Sequence, residues 1–263
     1  MGNDVAGIRG GRASQLRRAL AHRRLPLNTV SRGPRMFPRP IIDPAIATIA
    51  PGFRAISLFV DAHGVAPIAL DPAVLADACS IVQEGYPAWA EAHLTSWAEV
   101  YARFGAKPNR TPCSAHALRK RVLKDSALPA INPVVDLYNA VSLRFAVPVG
   151  GENIDAYAGV PRLTIANRTE PFDTITGGEP TIEHPTPGEV VWRDDAGVTC
   201  RRWNWRQGSR TRLDTFTGRM WFVLESLDTM PIDAMDEAAA FLELGLRTLI
   251  SGCSITREAV AVA

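Results

Sequence analysis

One short segment concentrates side chains that can bind an anion or a planar ligand. Residues 202–206 read Arg-Trp-Asn-Trp-Arg, and a strand would place Arg202, Asn204 and Arg206 on one face and the tryptophans on the other. Guanidinium and amide groups in a row match a phosphate, a carboxylate or a sugar edge. The pattern fits equally well an amphipathic hairpin with tryptophans in the core and arginines in water.

A carboxylate stands inside a strongly apolar run at residues 221–227. Strand alternation puts Glu225 on the same face as Trp221, Val223 and Leu227. A buried carboxylate is costly unless it is paired, so Glu225 should meet an arginine, a hydroxyl or a substrate group. The alternative is a charge that protects an exposed edge strand from aggregation.

A third set of polar residues lies on a predicted helix. Asn132 and Pro133 are typical of a helix start, and apolar residues three and four apart predict a helix through Phe145. Asn139 and Ser142 lie on or beside the buried stripe of this helix. Polar groups buried there need a hydrogen-bond partner in the protein or in a ligand, because leaving one unmade costs about 1 to 3 kcal/mol.

The helix leads into a loop with the pair Gly150 and Gly151, whose backbone N–H groups can approach a ligand closely. Together these segments resemble the tRNA-binding editing domain of the bacterial phenylalanyl-tRNA synthetase β-subunit, in its free-standing form. The resemblance covers about residues 110 to 230. Its motifs are Asn132-Pro133-Val134-Val135-Asp136 followed by Asn139, then Pro148 with the glycine loop ending at Asn153, then Arg202-Trp203-Asn204-Trp205-Arg206.

The resemblance implies a trans-editing hydrolase that deacylates misacylated tRNA by water attack on the aminoacyl ester, without a metal or a covalent intermediate. Asn139 and the N–H groups of Gly150 and Gly151 would hold the carbonyl or the water, and Glu225 would read the amino acid. The substrate would contact Tyr138, Ser142, Arg202, Asn204 and Arg206, with the two arginines on the terminal adenosine or phosphate.

Two positions differ from the synthetase pattern. Gly150 stands where the synthetase domain has a histidine, and Tyr138 stands where it has a threonine. One alternative is therefore a module that binds tRNA or aminoacyl-RNA without catalysis. A second alternative is a binding protein for a free amino acid, which the acidic body of the chain favours.

Composition narrows the function classes. The 263 residues are 46% hydrophobic and 21% charged, as in an ordinary globular protein, and no apolar run reaches the roughly 20 residues of a membrane helix. Four widely spaced cysteines, without a C-x-x-C pair, argue against a zinc site or a disulfide scaffold and predict reduced thiols in a cytoplasmic protein. No common nucleophile, metal or dinucleotide motif is present, so we expect no metal and no cofactor. The resemblance implies the aminoacylated 3′ end of tRNA as the partner.

Charge is distributed unevenly along the chain. Residues 1–35 carry a net charge of +7, leaving −5 for the remainder. We interpret residues 1–35 as a disordered leader, with a nucleic-acid arm or a transit segment as alternatives, and residues 36–263 as the folded domain. A second basic cluster, Arg119 to Lys124, could hold phosphates or simply face water.

The remaining elements must position these residues. Periodicity predicts helices at 72–85, 87–104, 114–124 and 233–251, with Ser114 as an N-cap, and strands at 54–60, 160–166, 189–193, 198–206 and 219–227. Helices and hairpin-joined strands come in blocks, which is typical of the α+β class. We expect a single domain with a layered, largely antiparallel, sandwich-like sheet and packed helices.

Overall fold

Six α-helices and two β-sheets make up the part of the chain that the computed structural model describes, residues 36–260. The helices are α1 (Ile46–Ile49), α2 (Pro72–Glu84), α3 (Ala90–Arg103), α4 (Ser114–Asp125), α5 (Pro133–Phe145) and α6 (Ile232–Leu249). The strands are β1 (Ile41–Ile42), β2 (Arg54–Asp61), β3 (Val149–Asn153), β4 (Arg162–Ile165), β5 (Phe172–Thr176), β6 (Glu179–Glu183), β7 (Val190–Arg193), β8 (Val198–Arg201), β9 (Arg206–Gln207), β10 (Arg219–Ser226) and β11 (Ser254–Ala259). The predicted α+β class is confirmed.

The smaller sheet is fully antiparallel, in the order β11-β2-β10-β3. β2 and β10 pair along their whole length, and β3 forms one edge. One face of this sheet, which includes Leu58, Phe222 and Leu224, packs against α5 and α6 to form one core. The glycine at position 245 lets α6 approach α5 closely, because a Cβ there would lie 2.5 Å from Leu137 Cδ1.

The larger sheet has the order β1-β4-β7-β8-β5-β6, with β9 added to β8. Only the β1–β4 and β5–β8 pairs within it are parallel. Aromatic side chains from both sheets and from α3 fill a second core, among them Trp97, Trp192, Trp203 and Trp221. The fold is therefore a layered sandwich with helices on its outer side, as predicted.

The helix that carries Asn139 is firmly fixed at its start. Asn132 Oδ1 accepts from the backbone N–H groups of Val134 and Val135, at 3.1 and 2.9 Å, which satisfies two of the free donors of the first turn. Asp136 is buried and accepts from Ile131 N–H at 2.9 Å. α2 and α4 cover the outer side of α5 through a third apolar cluster.

Several local predictions were wrong. Residues 149–153 form strand β3 rather than a loop. Ser114 is the first residue of α4, and its hydroxyl makes no capping hydrogen bond. Residues 1–35, interpreted above as a leader, lie outside the described residues, and within residues 36–260 no helix is both long and apolar enough to cross a membrane.

Candidate active site

A cavity of about 270 Å³ opens between the two sheets. Its walls come from β3 and β10, from β7 and β8 with the segment that follows β8, and from the facing sides of α4 and α5. Six of the residues singled out from the sequence line it: Tyr138, Asn139, Gly150, Gly151, Asn204 and Glu225. Segments separated by some sixty positions in the chain therefore meet at one place.

Glu225 lies at the inner wall of the cavity and is 1% exposed. Its Oε1 accepts from the indole N–H groups of Trp192 and Trp203, at 2.9 and 3.0 Å, and its Oε2 accepts from Asn204 Nδ2 at 3.0 Å. Burial raises the pKa of Glu225 to about 7, although the three donors lower the pKa in opposition. The carboxyl group is thus held by neutral donors and titrates near neutrality.

Asn204 orients this carboxyl group. Its Oδ1 accepts from the Tyr101 hydroxyl at 2.8 Å and, at 3.4 Å, from the backbone N–H of Ser114. Those two donors fix the amide so that Nδ2 faces Glu225. The sequence prediction did not include Tyr101, because a tyrosine at a helical core position gives no sign of a polar contact.

The segment after β8 is a tight turn, so the prediction of one straight strand to Arg206 was wrong. Arg202 and Trp203 have φ angles of +46° and +65°, and the Trp205 N–H bonds back to the Arg201 carbonyl at 3.2 Å. Left-handed residues reverse the chain and break the alternation of a strand. As a result Trp203 and Asn204 both point inward, and the expected row of Arg202, Asn204 and Arg206 does not exist.

The two arginines lie outside the cavity. The Arg202 guanidinium stacks on the Trp205 ring at 4.3 Å. Arg206 contacts the Glu183 carboxylate at 3.4 Å and the Ile175 carbonyl at 3.2 Å. Arg206 is therefore committed to contacts within the larger sheet, whereas Arg202 reaches a neighbouring cleft, described below.

The two glycines lie in an edge strand, so their backbone N–H groups point in opposite directions. Glu225 N–H bonds to the Pro148 carbonyl at 3.0 Å, and Gly150 stands opposite Val223. Bonded pairs in an antiparallel ladder recur at every second residue, so the Gly150 N–H faces β10. Gly151 faces away from β10, towards residues 207–213, which cover part of this edge. Its carbonyl accepts from Gln207 Nε2 at 2.9 Å, and the neighbouring Asn153 N–H donates to the Thr211 carbonyl at 2.8 Å. Of the two N–H groups expected to meet a ligand, only that of Gly151 is directed away from β10.

The polar residues of α5 have different surroundings. Asn139 lines the cavity, and its side-chain amide makes no hydrogen bond with any described residue. Tyr138 also lines the cavity and packs on Phe222, with ring centroids 6.2 Å apart. Ser142 is buried away from the cavity lining, and its hydroxyl has no partner within residues 36–260.

Glu152 is a second buried carboxyl group in the cavity lining, and sequence reasoning missed it. It accepts from the Tyr157 hydroxyl, and burial raises its pKa to about 7. Glu225 lies opposite Pro148, four residues from Glu152 along β3, so the two backbones are about 13 Å apart. Recognising β3 as a strand would have placed Glu152 on the face of Trp221 and Glu225.

The side chains lining the cavity include no lysine, arginine or histidine among the described residues. Four tryptophans and two carboxyl groups instead dominate the wall. No group of three or more His, Cys, Asp or Glu residues within 36–260 is arranged to hold a metal ion. The chemistry that these residues can supply is aromatic contact, hydrogen bonding by amides and backbone, and acceptance by carboxylates.

Comparison with known proteins gives one family. The model of the B3/4 domain matches residues 96–243. A solved structure that the chain is similar to is an N-terminal fragment of the phenylalanyl-tRNA synthetase β-subunit from Pyrococcus horikoshii, with 12% identity and a TM-score of 0.41. The match covers 85% of this chain and 54% of that one. No curated protein matches the chain.

Proposed function

The chain belongs to the B3/4 domain family, the domain type of the phenylalanyl-tRNA synthetase β-subunit, and from this premise we propose that it deacylates misacylated tRNA in trans. Water attacks the ester that joins the amino acid to the terminal ribose, without a metal or a covalent intermediate. The aminoacyl group occupies the cavity of about 270 Å³ between the two sheets.

One observation carries this proposal. Asn139, Gly151 and Glu225 come from a helix, an edge strand and a central strand, yet all line the same cavity. The half-buried Asn139 amide has no partner among the described residues, and the Gly151 N–H faces away from β10. Because Asn139 is partly exposed in the cavity lining, its amide is available to a ligand that enters the cavity.

Ester hydrolysis needs donors for the oxyanion that forms when water adds to the carbonyl. Asn139 Nδ2 and Gly151 N–H supply such donors, and removing one donor of this kind typically costs about 10² to 10³ in rate. The ribose hydroxyl beside the ester can take part in proton transfer, so the protein needs to hold the reacting groups rather than provide a nucleophile.

Glu225 discriminates between amino acids in this proposal. Oε1 already accepts two indole N–H groups, so the remaining acceptor capacity is on Oε2. A hydroxyl or ammonium group of the aminoacyl moiety can donate there. Apolar pockets reject an added hydroxyl by only about a hundredfold, so a second site that binds the hydroxylated product improves accuracy.

The direct test is single-turnover deacylation of a panel of mischarged tRNAs by the full chain. We expect at least one pair to be hydrolysed faster than its spontaneous rate, and Asn139→Ala, Glu225→Ala and Tyr101→Phe to slow that reaction. Ser142→Ala is the matched control, because Ser142 lies on the same helix outside the cavity lining. Absence of turnover on every pair would refute the hydrolase assignment.

A binding module without catalysis is the second candidate. Its support is the absence of any histidine, lysine or arginine from the described cavity lining, so that only Glu152 and Glu225 could accept a proton from water. In that case aminoacylated tRNA would bind more tightly than uncharged tRNA and would remain charged. A receptor for free amino acids would bind them equally well without RNA, and titration with both ligands separates these outcomes.

A further inference from the structure

A basic cleft of about 380 Å³ lies on the other side of the turn that bounds the cavity. We call it the basic cleft and define it by Lys107, Arg110 and Arg202, with Thr186 and Glu189 in the same lining. Sequence reasoning assigned no role to Lys107 or Arg110. Three cationic side chains around one depression make an anion site.

The single carboxylate in the basic cleft, Glu189, offsets part of the Arg202 charge, since Glu189 Oε2 lies 3.9 Å from Arg202 Nε, but it pairs with neither Lys107 nor Arg110. Glu189 is 3% exposed and accepts from both Nε and Nη2 of Arg201, at 3.0 and 2.9 Å. This bidentate pair is neutral as a unit. Lys107 and Arg110 are exposed and make no ion pair with any residue in 36–260, so their charges are available to a ligand.

The basic cleft and the cavity share a wall. Arg202 lines the cleft, and Trp203, Asn204 and Trp205 line the cavity from the next three positions of the same turn. The stacking of Arg202 on Trp205 joins the two sides directly. The distance across a four-residue turn is less than about 7 Å between its end Cα atoms, so one extended ligand can occupy both depressions.

Other basic surfaces are less suited to hold phosphates. On α4, Arg119 pairs with Glu91, and Arg121 lies 3.9 Å from Asp125. Of the two alternatives predicted for this helix, the ion pairs favour a solvent-exposed face over a phosphate site. Lys120 and Lys124 are exposed on the same helix and provide a pair of equal charge for comparison.

We propose that the basic cleft binds backbone phosphates of the single-stranded 3′ end of a tRNA whose aminoacyl group lies in the cavity. This inference rests on the proposed function. Lys107 and Arg110 contact two phosphates, and Arg202 contacts the phosphate nearest the cavity while its stacking holds Trp205 against the terminal adenosine. The RNA then enters the site across the turn, from the end of α3.

The test is fluorescence anisotropy with a labelled acceptor-stem hairpin that ends in the single-stranded 3′ tail, titrated at several salt concentrations. For Lys107→Ala/Arg110→Ala we expect affinity at least tenfold weaker near 0.1 M salt. The slope of log affinity against log salt should fall by about 1.5, since each phosphate contact contributes roughly 0.7 to 0.9. Lys120→Ala/Lys124→Ala is the charge-matched control, and circular dichroism verifies folding of both variants.

A blunt hairpin without the tail is the second probe. The double substitution in the basic cleft should have little effect on its binding, because the cleft contacts only the tail. An unchanged slope, an equal loss from the control pair, or an equal loss on the blunt hairpin would each overturn the proposal. A slope that depends on the cleft, without hydrolysis of any mischarged tRNA, would refute the proposed function while the cleft assignment stands.

Discussion

At the cavity, the sequence predicted some of the functional side chains but not the contacts between them. Glu225 was identifiable because a carboxylate on an apolar strand face must find donors. Its donors were not identifiable, because the indole N–H of Trp192 comes from one strand and the N–H groups of Trp203 and Asn204 come from a separate turn. Their convergence depends on the left-handed turn at Arg202 and Trp203, which has no glycine to reveal it.

Asn139→Ala separates a binding role from a structural one. The Asn139 amide makes no hydrogen bond within the described residues, so the free energy of unfolding should change by less than about 0.5 kcal/mol. The deacylation rate should fall roughly 10²-fold, because an oxyanion donor is lost. Urea unfolding and single-turnover kinetics provide the two measurements. A large loss of stability with unchanged kinetics would contradict the assignment.

Glu225→Gln tests the carboxylate as an acceptor for the substrate. With a pKa of about 7, Glu225 is protonated below neutrality and becomes a full acceptor above it. The ratio of wild-type to Glu225→Gln deacylation rates should therefore rise from pH 6 to pH 8, by at most about tenfold for a single group with this pKa. Taking the ratio removes the intrinsic hydroxide dependence of ester hydrolysis. A ratio independent of pH would exclude this role.

At the scale of elements, β3 links the fold to the site. Its two glycines suggested a loop, because glycine weakens a strand and favours turns. The strand forms because β10 supplies a complete antiparallel partner from Val149 to Asn153, and such tertiary pairing overrides local propensity. The long amphipathic helices were predictable from periodicity, whereas β1 and β9, two residues each, gave no periodic signal.

Gly151→Ala and Gly150→Ala form a matched pair on this strand. A Cβ at Gly151 would lie 2.9 Å from Phe222 Cε1 and 3.0 Å from Leu213 Cδ1, so overpacking should destabilise the protein by about 1 to 3 kcal/mol. A Cβ at Gly150 would meet only Val223 Cγ1, at 3.4 Å. Gly150→Ala should therefore keep the stability and raise KM by filling part of the cavity. Equal melting temperatures for the two variants would contradict this.

For the whole molecule, buried polar links hold the layers in register. His93 of α3 donates from Nδ1 to the Ala146 carbonyl after α5, at 2.8 Å. Its Nε2 accepts from Trp97 Nε1 and from Leu227 N–H after β10, both at 3.1 Å. One imidazole thus joins three elements, and only its neutral form can accept at Nε2. The sequence showed a lone histidine on a helix and gave no sign of these contacts.

His93 predicts how stability depends on pH. Burial lowers its pKa to about 4, below the ordinary value of 6.5. The unfolded chain binds a proton below pH 6.5 and the folded protein does not, so stability is lost as pH falls from 6.5 to 4. The loss is on the order of 3 kcal/mol.

His93→Gln is the control for this dependence, since glutamine can donate and accept similarly without titrating. Urea unfolding of both proteins at pH 7.5 and pH 4.5 measures the effect. The stability of wild type relative to His93→Gln should fall at the lower pH. The contributions of the other titrating groups, including Glu152 and Glu225, to the pH dependence are the same in both proteins and cancel in the difference. A difference that stays constant with pH would disprove the protonation argument.

The two carboxyl groups at opposite ends of the cavity have a consequence for the ligand. Both have pKa values of about 7, so the empty cavity changes from uncharged in mild acid to doubly negative in mild alkali, with aromatic rings between. A positively charged amine bound between them would lower the pKa of both carboxyl groups and favour their ionised form. Affinity for a free amine over its acylated, uncharged counterpart should then depend on the acidity of the surroundings.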